Sequence, residues 1–158
     1  MFNGVDTGTS PPVDDRMFSS EGDDTIRGNG GADWAEGGAG NDNLVGGLGN
    51  DVLNDAFGDD VIKGGPGNDA ISSGPGFDLN QGGTGADFVV GGSDPTETFG
   101  GGGADLIFGG ESADTVFGGD GIEGGTQSDL LQGDNGFPFQ DDPTGGHDVI
   151  IGDGGNDD

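Results

Sequence analysis

The chain has 158 residues, 41 of them glycine, with no cysteine, one histidine and a formal charge of −28. At 28% hydrophobic, an ordinary core cannot offset chain entropy, so either the chain stays unfolded or something neutralises its carboxylates and pins the backbone. Three Lys and Arg cannot neutralise phosphates, one His and no Cys argue against zinc, copper or iron, and no apolar run reaches membrane length. Hard oxygen ligands are the one metal-binding resource present in quantity, and calcium is the cation they suit.

Residues 1–18 are polar, contain Pro11-Pro12 and show no period. They read as a linker or poorly ordered lead-in, without the basic start and apolar stretch of a signal peptide. From Ser19 a nine-residue frame holds: SSEGDDTIR (19–27), GNGGADWAE (28–36), GGAGNDNLV (37–45), GGLGNDVLN (46–54), DAFGDDVIK (55–63), GGPGNDAIS (64–72), SGPGFDLNQ (73–81) and GGTGADFVV (82–90). A damaged GGSDPTETF (91–99) follows, then GGGGADLIF (100–108) and GGESADTVF (109–117). GGDGIE (118–123) is three residues short and reads as a block that has lost its aspartate, with Ile122 as its apolar residue. The frame resumes at GGTQSDLLQ (124–132). Residues 133–142 break it by one residue, as an inserted loop would, and 143–158 carry further repeats. Because GDGGNDD ends inside a block, the chain is expected to be part of something longer.

The blocks follow G-G-x-G-x-D-x-U-x, with U a large apolar residue, which is the pattern of calcium-binding β-helix repeats. Over nearly its whole length the chain resembles the RTX (repeat-in-toxin, hemolysin-type) β-roll family. That resemblance implies an all-β fold, a parallel β-roll with two nonapeptides per turn. Glycines at places one, two and four are expected to supply positive φ in tight turns. Three residues after each aspartate suffice for a short strand, and an eighteen-residue turn puts Asp42 over Asp60 and Asp51 over Asp69 in two separate columns. Bare carboxylates stacked about 5 Å apart repel by roughly 1 to 3 kcal/mol per pair. A Ca²⁺ between turns reverses that sign, so the metal-free chain is expected to be disordered.

In the family, each calcium takes carbonyls of places two and four and the aspartate of one block, with carbonyls of places one and three and the aspartate eighteen residues on. Carried over, one site is Gly47, Gly49 and Asp51 with Gly64, Pro66 and Asp69. The next is Gly65, Gly67 and Asp69 with Gly82, Thr84 and Asp87, then Gly83, Gly85 and Asp87 with Gly100, Gly102 and Asp105. The series begins with Asn29, Gly31 and Asp33 against Gly46, Leu48 and Asp51. The other column pairs Asp24 with Asp42, Asp42 (with Gly38 and Gly40) with Asp60, and Asp60 with Asp78. Roughly seven calcium ions result, offsetting about half the formal charge. Thr96 replaces an aspartate, so pairs through it are lost or rebuilt with Asp94 or Glu97. Asp114 and Asp129 are expected to pair across the short block. Asp55-Ala56 replaces a glycine pair, which is expected to weaken its site without necessarily abolishing it.

Place eight supplies a thin core: Ile26, Ala35, Leu44, Leu53, Ile62, Ile71, Val89, Ile107, Val116, Ile122, Leu131 and Ile150, with Asn80 an exception. Place seven points outward. One column there is apolar throughout (Trp34, Val52, Ala70, Phe88, Leu106), with Val90 and Phe108 on the same side, which suggests a protein partner or self-association.

No catalytic constellation emerges. His147 reads as a turn residue, no phosphate-binding G-x-x-x-x-G-K-[ST] occurs, and self-cleavage at Asp94-Pro95 or Asp142-Pro143 is set aside because the modules that do this resemble a different domain. The resemblance thus implies a non-enzymatic module of a secreted, extracellular bacterial protein, a folding switch and spacer exported by type I secretion. Two alternatives stand beside it. One is an adhesin or assembly module that uses the apolar face. The other is an appendage of a secreted protease, lipase or peroxidase, since the ending resembles repeat regions attached to haem-peroxidase-like proteins.

Overall fold

The computed structural model describes residues 6–7, 13–119, 130–134 and 149–152. The strands are β1 (Asp6–Thr7), β2 (Arg16–Phe18), β3 (Thr25–Gly30), β4 (Trp34–Glu36), β5 (Asn43–Leu48), β6 (Val52–Asn54), β7 (Val61–Pro66), β8 (Ala70–Ser72), β9 (Leu79–Thr84), β10 (Phe88–Val90), β11 (Glu97–Gly102), β12 (Leu106–Ala113), β13 (Thr115–Gly119), β14 (Leu130–Asp134) and β15 (Val149–Gly152). They form two parallel sheets, β1-β3-β5-β7-β9-β11-β13 and β15-β14-β12-β10-β8-β6-β4-β2. Successive nonapeptides alternate between the sheets, so the chain winds as a parallel β-roll.

Register shows the period directly. Trp34 pairs with Val52, Val52 with Ala70, Ala70 with Phe88 and Phe88 with Leu106, each eighteen residues apart. Strict alternation then buries place eight. Met17, Ala35, Leu53, Ile71, Val89 and Ile107 face Ile26, Leu44, Ile62 and Val116 across the roll, none more than 5% exposed. Asn80 and Thr98 stand in the same inward row between Ile62 and Val116. Asn80 Nδ2 donates to Ser73 Oγ at 3.0 Å, whereas the buried Thr98 Oγ1 has no hydrogen-bond partner.

Two expectations are corrected here. Residues 13–18 belong to the roll and not to a lead-in: β2 pairs with β4, and Met17 is buried. The frame runs back through SPPVDDRMF (10–18), with Asp15 at place six and Met17 at place eight, but without the glycines that mark the other blocks. At the other end, Leu130 pairs with Leu106 across twenty-four residues, so β14 stacks in the sheet of β12, which follows Asp105, and not in that of β13, which follows Asp114. An Asp114–Asp129 pair does not follow from that register. Leu130 pairs with Val149 nineteen residues on, which absorbs the one-residue break at 133–142. Asp129, Ile122, His147, Asp142-Pro143 and most of that loop lie outside the described residues.

On the outer face of the second sheet, Trp34 is 37% and Phe88 42% exposed, while Val52, Ala70, Val90, Leu106 and Phe108 are half-buried. Phe88 meets Phe108 edge-on at 5.9 Å, and the Arg16 guanidinium lies 5.5 Å over the Trp34 ring.

The core row makes a two-sided prediction for urea unfolding in saturating calcium. Leu53→Ala should lose about 3 kcal/mol as a cavity opens. Thr98→Val, which removes a buried hydroxyl without a partner at nearly constant shape, should gain about 1 kcal/mol.

Candidate metal centres

Each centre is built by a turn, a buried aspartate and the backbone of the next turn. Place two and place four have positive φ, as at Gly47 (117°) and Gly49 (133°); Asn29 is the one non-glycine residue among those described that shares this conformation, at 70°. The chain then brings place six inward. Asp33, Asp42, Asp51, Asp60, Asp69, Asp78, Asp87, Asp105 and Asp114 are at most 3% exposed, and Asp24 is 7% exposed.

One carboxylate oxygen is used to stitch the turns. The backbone N–H of Asp33 donates to Asp51 Oδ1, that of Asp51 to Asp69 Oδ1 and that of Asp69 to Asp87 Oδ1, each at 2.8 Å. Asp87 continues to Asp105 at 2.9 Å, and Asp15 begins the column with Asp33 at 2.7 Å. The other column runs from Asp24 to Asp42 and Asp42 to Asp60 at 2.8 Å, then Asp60 to Asp78 at 3.0 Å. Thr96 keeps part of the pattern, its backbone N–H donating to Asp114 Oδ1 at 2.9 Å and its hydroxyl to the same oxygen at 3.2 Å.

The second oxygen has no such use. Oδ2 of Asp33, Asp42, Asp51, Asp60, Asp69 and Asp87 is buried without a hydrogen-bond partner. Such orphans are costly unless a proton or a cation joins them. They converge on the first-place glycines. A Cβ built on Gly28 would strike Asp33 Oδ2 and the carbonyl oxygen of Gly46 in the next turn; one on Gly64 would strike Asp69 Oδ2 and the Gly82 carbonyl, and one on Gly82 would strike Asp87 Oδ2 and the Gly100 carbonyl. These first-place glycines do not have positive φ, which corrects the expectation above. Glycine is required there because the space beside it is a cradle of oxygens.

The remaining expected carbonyls lie between the same turns. Those of Asn29, Gly47, Gly65 and Gly83 approach the second-place glycine one turn on, and those of Gly31, Gly49, Gly67 and Gly85 approach the fourth-place one. Third-place carbonyls of Leu48, Pro66, Thr84 and Gly102 each accept a backbone N–H from Gly31, Gly49, Gly67 and Gly85, leaving a second lone pair on each. Asp94 is exposed, with the Ser93 hydroxyl donating to it at 3.3 Å. Gly38 and Gly40 have positive φ like the other second- and fourth-place glycines. The turn that follows Asp42 differs from the rest: Asp55 points inward, and one oxygen each from Asp42, Asp55 and Asp60 lie within 4.8 Å of one another.

Two features escaped the sequence reading. One is the inward carboxylate of Asp55, where the sequence shows only a departure from the glycine pair. Place five also carries an outer ladder, in which Asn41 Oδ1 accepts the backbone N–H of Asp59, Asp59 Oδ1 that of Phe77, and Asn50 Oδ1 that of Asn68. The recurrence of Asp or Asn at place five, in Asp14, Asp23, Asn41, Asn50, Asp59 and Asn68, was the available signal.

Stacked carboxylate and carbonyl oxygens, with no nitrogen or sulfur donor, suit a hard divalent cation of calcium's size. The geometry defines a calcium-binding parallel β-roll. The sequence profile described as RTX calcium-binding nonapeptide repeat (four copies) matches residues 18–53, 45–79, 81–94, 99–122 and 144–158, most of the chain. The chain belongs to that family. No curated protein and no solved structure is matched by it.

Burial raises the carboxyls of Asp33, Asp42, Asp51, Asp78 and Asp87 above their ordinary 3.8, against the lowering effect of the backbone N–H bonds. It takes Asp60 to about 6 and Asp69 to about 7, neighbouring aspartates adding to the rise. Protonation therefore favours the metal-free roll: its contribution is complete below 3.8 and is lost as pH rises through 6 to 7. Calcium-coupled folding differs, because the unfolded chain and the loaded roll are both ionised above about pH 5. The calcium midpoint followed by circular dichroism should stay constant within about twofold from pH 8 to 6 and rise below 5. A tenfold rise between pH 8 and 6 would mean that a folded metal-free roll precedes binding.

Proposed function

We propose that the chain is a non-enzymatic, calcium-folded module of a secreted bacterial protein, a folding switch and spacer. The observation that supports it most is the column of buried, partnerless Oδ2 atoms facing carbonyls of the next turn. In calcium-poor cytosol the carboxylates repel and the chain stays extended and exportable; outside, calcium closes the turns. On this reading each ion is held by the places-two-and-four carbonyls and aspartate of one block with the places-one-and-three carbonyls and aspartate eighteen residues on. Roughly seven sites follow, at affinities of about 10⁻⁴ to 10⁻³ M, as in other extracellular modules. Type I export is the route that suits a chain unfolded until it meets calcium.

The test is circular dichroism during a calcium titration of the chelated protein, with magnesium as control. β signal should appear cooperatively at submillimolar to millimolar calcium and not with magnesium. Full order after exhaustive chelation at pH 7.5 would overturn the reading.

A second reading is supported by the outward apolar row of Trp34 and Phe88, both exposed, with the half-buried Val52, Ala70, Leu106, Val90 and Phe108: the folded roll associates through this face, as an adhesin or assembly module would. Replacing Trp34, Phe88 and Leu106 by serine should reduce the mass measured by light scattering in calcium. An unchanged monomeric mass before and after would end that reading, leaving the module as a spacer or an appendage of a secreted enzyme.

A further inference from the structure

Among the first-place residues from Ser19 to Gly109, Asp55 is the one that carries a charge. Its backbone does not have positive φ, so the position accepts a side chain without strain. Asp55 Oδ1 is fixed by two backbone donors, the N–H of Ala56 at 2.8 Å and that of Gly38 in the preceding turn at 3.0 Å. Its Oδ2 is buried and has no hydrogen-bond partner. A Cβ built on Gly37 would strike this oxygen and Asp42 Oδ2. Beside Gly28, Gly64 and Gly82 the corresponding neighbour is a peptide carbonyl of the next turn.

A carboxylate oxygen thus stands where the other cradles have a neutral carbonyl. It joins Asp42 and Asp60, whose side chains are 3% and 1% exposed and whose Oδ2 atoms also lack partners. The three groups supply oxygens within 4.8 Å of one another. We propose that Asp55 is a side-chain ligand, and that with Asp42 and Asp60 it makes a three-carboxylate calcium site that fills first and empties last along the roll. This inference rests on the calcium reading given above. Its cause is ligand charge: calcium sites gain affinity as carboxylates replace neutral oxygens, provided the ion neutralises them. The departure from glycine at place one is on this account a gain at one site.

The experiment compares the full chain with Asp55→Asn and Asp55→Gly by calorimetric calcium titration and by calcium retention against a chelator. The wild type should show one ion per chain bound about tenfold more tightly than the rest. Both variants should lose that tight ion while keeping the others and the same circular dichroism in saturating calcium. The asparagine variant keeps the size of the side chain, so a folding defect confined to the glycine variant leaves the comparison intact. Equal affinities for the first ion in all three proteins would overturn the proposal. So would one additional ion in Asp55→Gly, because Asp55 would then be filling the cradle in place of a metal. Failure of all three proteins to bind calcium would overturn the calcium reading as well.

Discussion

The fold depends on how each buried aspartate divides its two oxygens. Oδ1 accepts a backbone N–H from the turn below and so fixes the eighteen-residue register; Oδ2 of Asp33, Asp42, Asp51, Asp60, Asp69 and Asp87 is buried without a hydrogen-bond donor. The first is an ordinary charge-assisted hydrogen bond that favours stacking. The second makes stacking conditional, since an ionised oxygen in a buried site needs a counter-charge. On the proposed reading, register is set by the protein, while occupancy of that register is set by the solvent's cations. A chain built this way can be fully specified in structure and still be unfolded where calcium is scarce.

The two columns do not share this burden equally. In the blocks that run from the first sheet into the second, Gly28, Gly46, Gly64, Gly82 and Gly100 repeat without exception, and so do their aspartates from Asp33 to Asp105. In the blocks that run back into the first sheet, place one reads Ser19, Gly37, Asp55, Ser73, Gly91 and Gly109, and Thr96 interrupts the aspartates. The irregular column has its own partners. The Ser19 hydroxyl donates to the Gly37 carbonyl, and the buried Ser73 hydroxyl accepts from Asn80 in the core row of the same block. A serine in a cradle and an asparagine in the core are each a defect alone, and together they satisfy one another in part. The regular column is thus the repeating support of the roll, and individual character is confined to the other.

The period, the parallel sheets and the inward row were legible in the sequence because each depends on one residue type at a fixed place. Leu44, Leu53 and Ile62 could be assigned without knowing anything else about the chain. What was not legible depended on pairing or on space. Asp15 and Met17 keep the frame but lack its glycines, and only the strand ladder with Trp34 and Ala35 shows that they belong. Whether GGDGIE is a shortened block or extra chain inside a turn cannot be decided by counting, because both leave block 124–132 in frame. The pairing of Leu130 with Leu106 places β14 beside β12. The first-place glycines looked like turn residues, and the oxygens beside them show that they are there to leave room. The inward carboxylate of Asp55 was hidden for the same reason: a rule about φ says nothing of the volume beside place one.

Volume and charge also explain why the roll needs so little core. Ten apolar side chains form the buried cluster among the described residues, at most one per nonapeptide, too narrow a stripe to order the turns by burial alone. Each turn touches only its neighbours, so stability accumulates as a sum of nearest-neighbour steps, as in other solenoids. In the second sheet the apolar contact is nearly constant from step to step, Leu53 on Ile71 or Ile71 on Val89, whereas Asn80 and Thr98 interrupt it in the first. The electrostatic part is what changes sign, repulsive without a cation and attractive with one. A uniform small apolar gain with a switchable electrostatic one makes the whole column respond together, since a turn left unneutralised withholds its oxygens from both neighbours. Thr96 breaks that chain of dependence in one column only, and the unbroken run from Asp33 to Asp105 carries the stack past it.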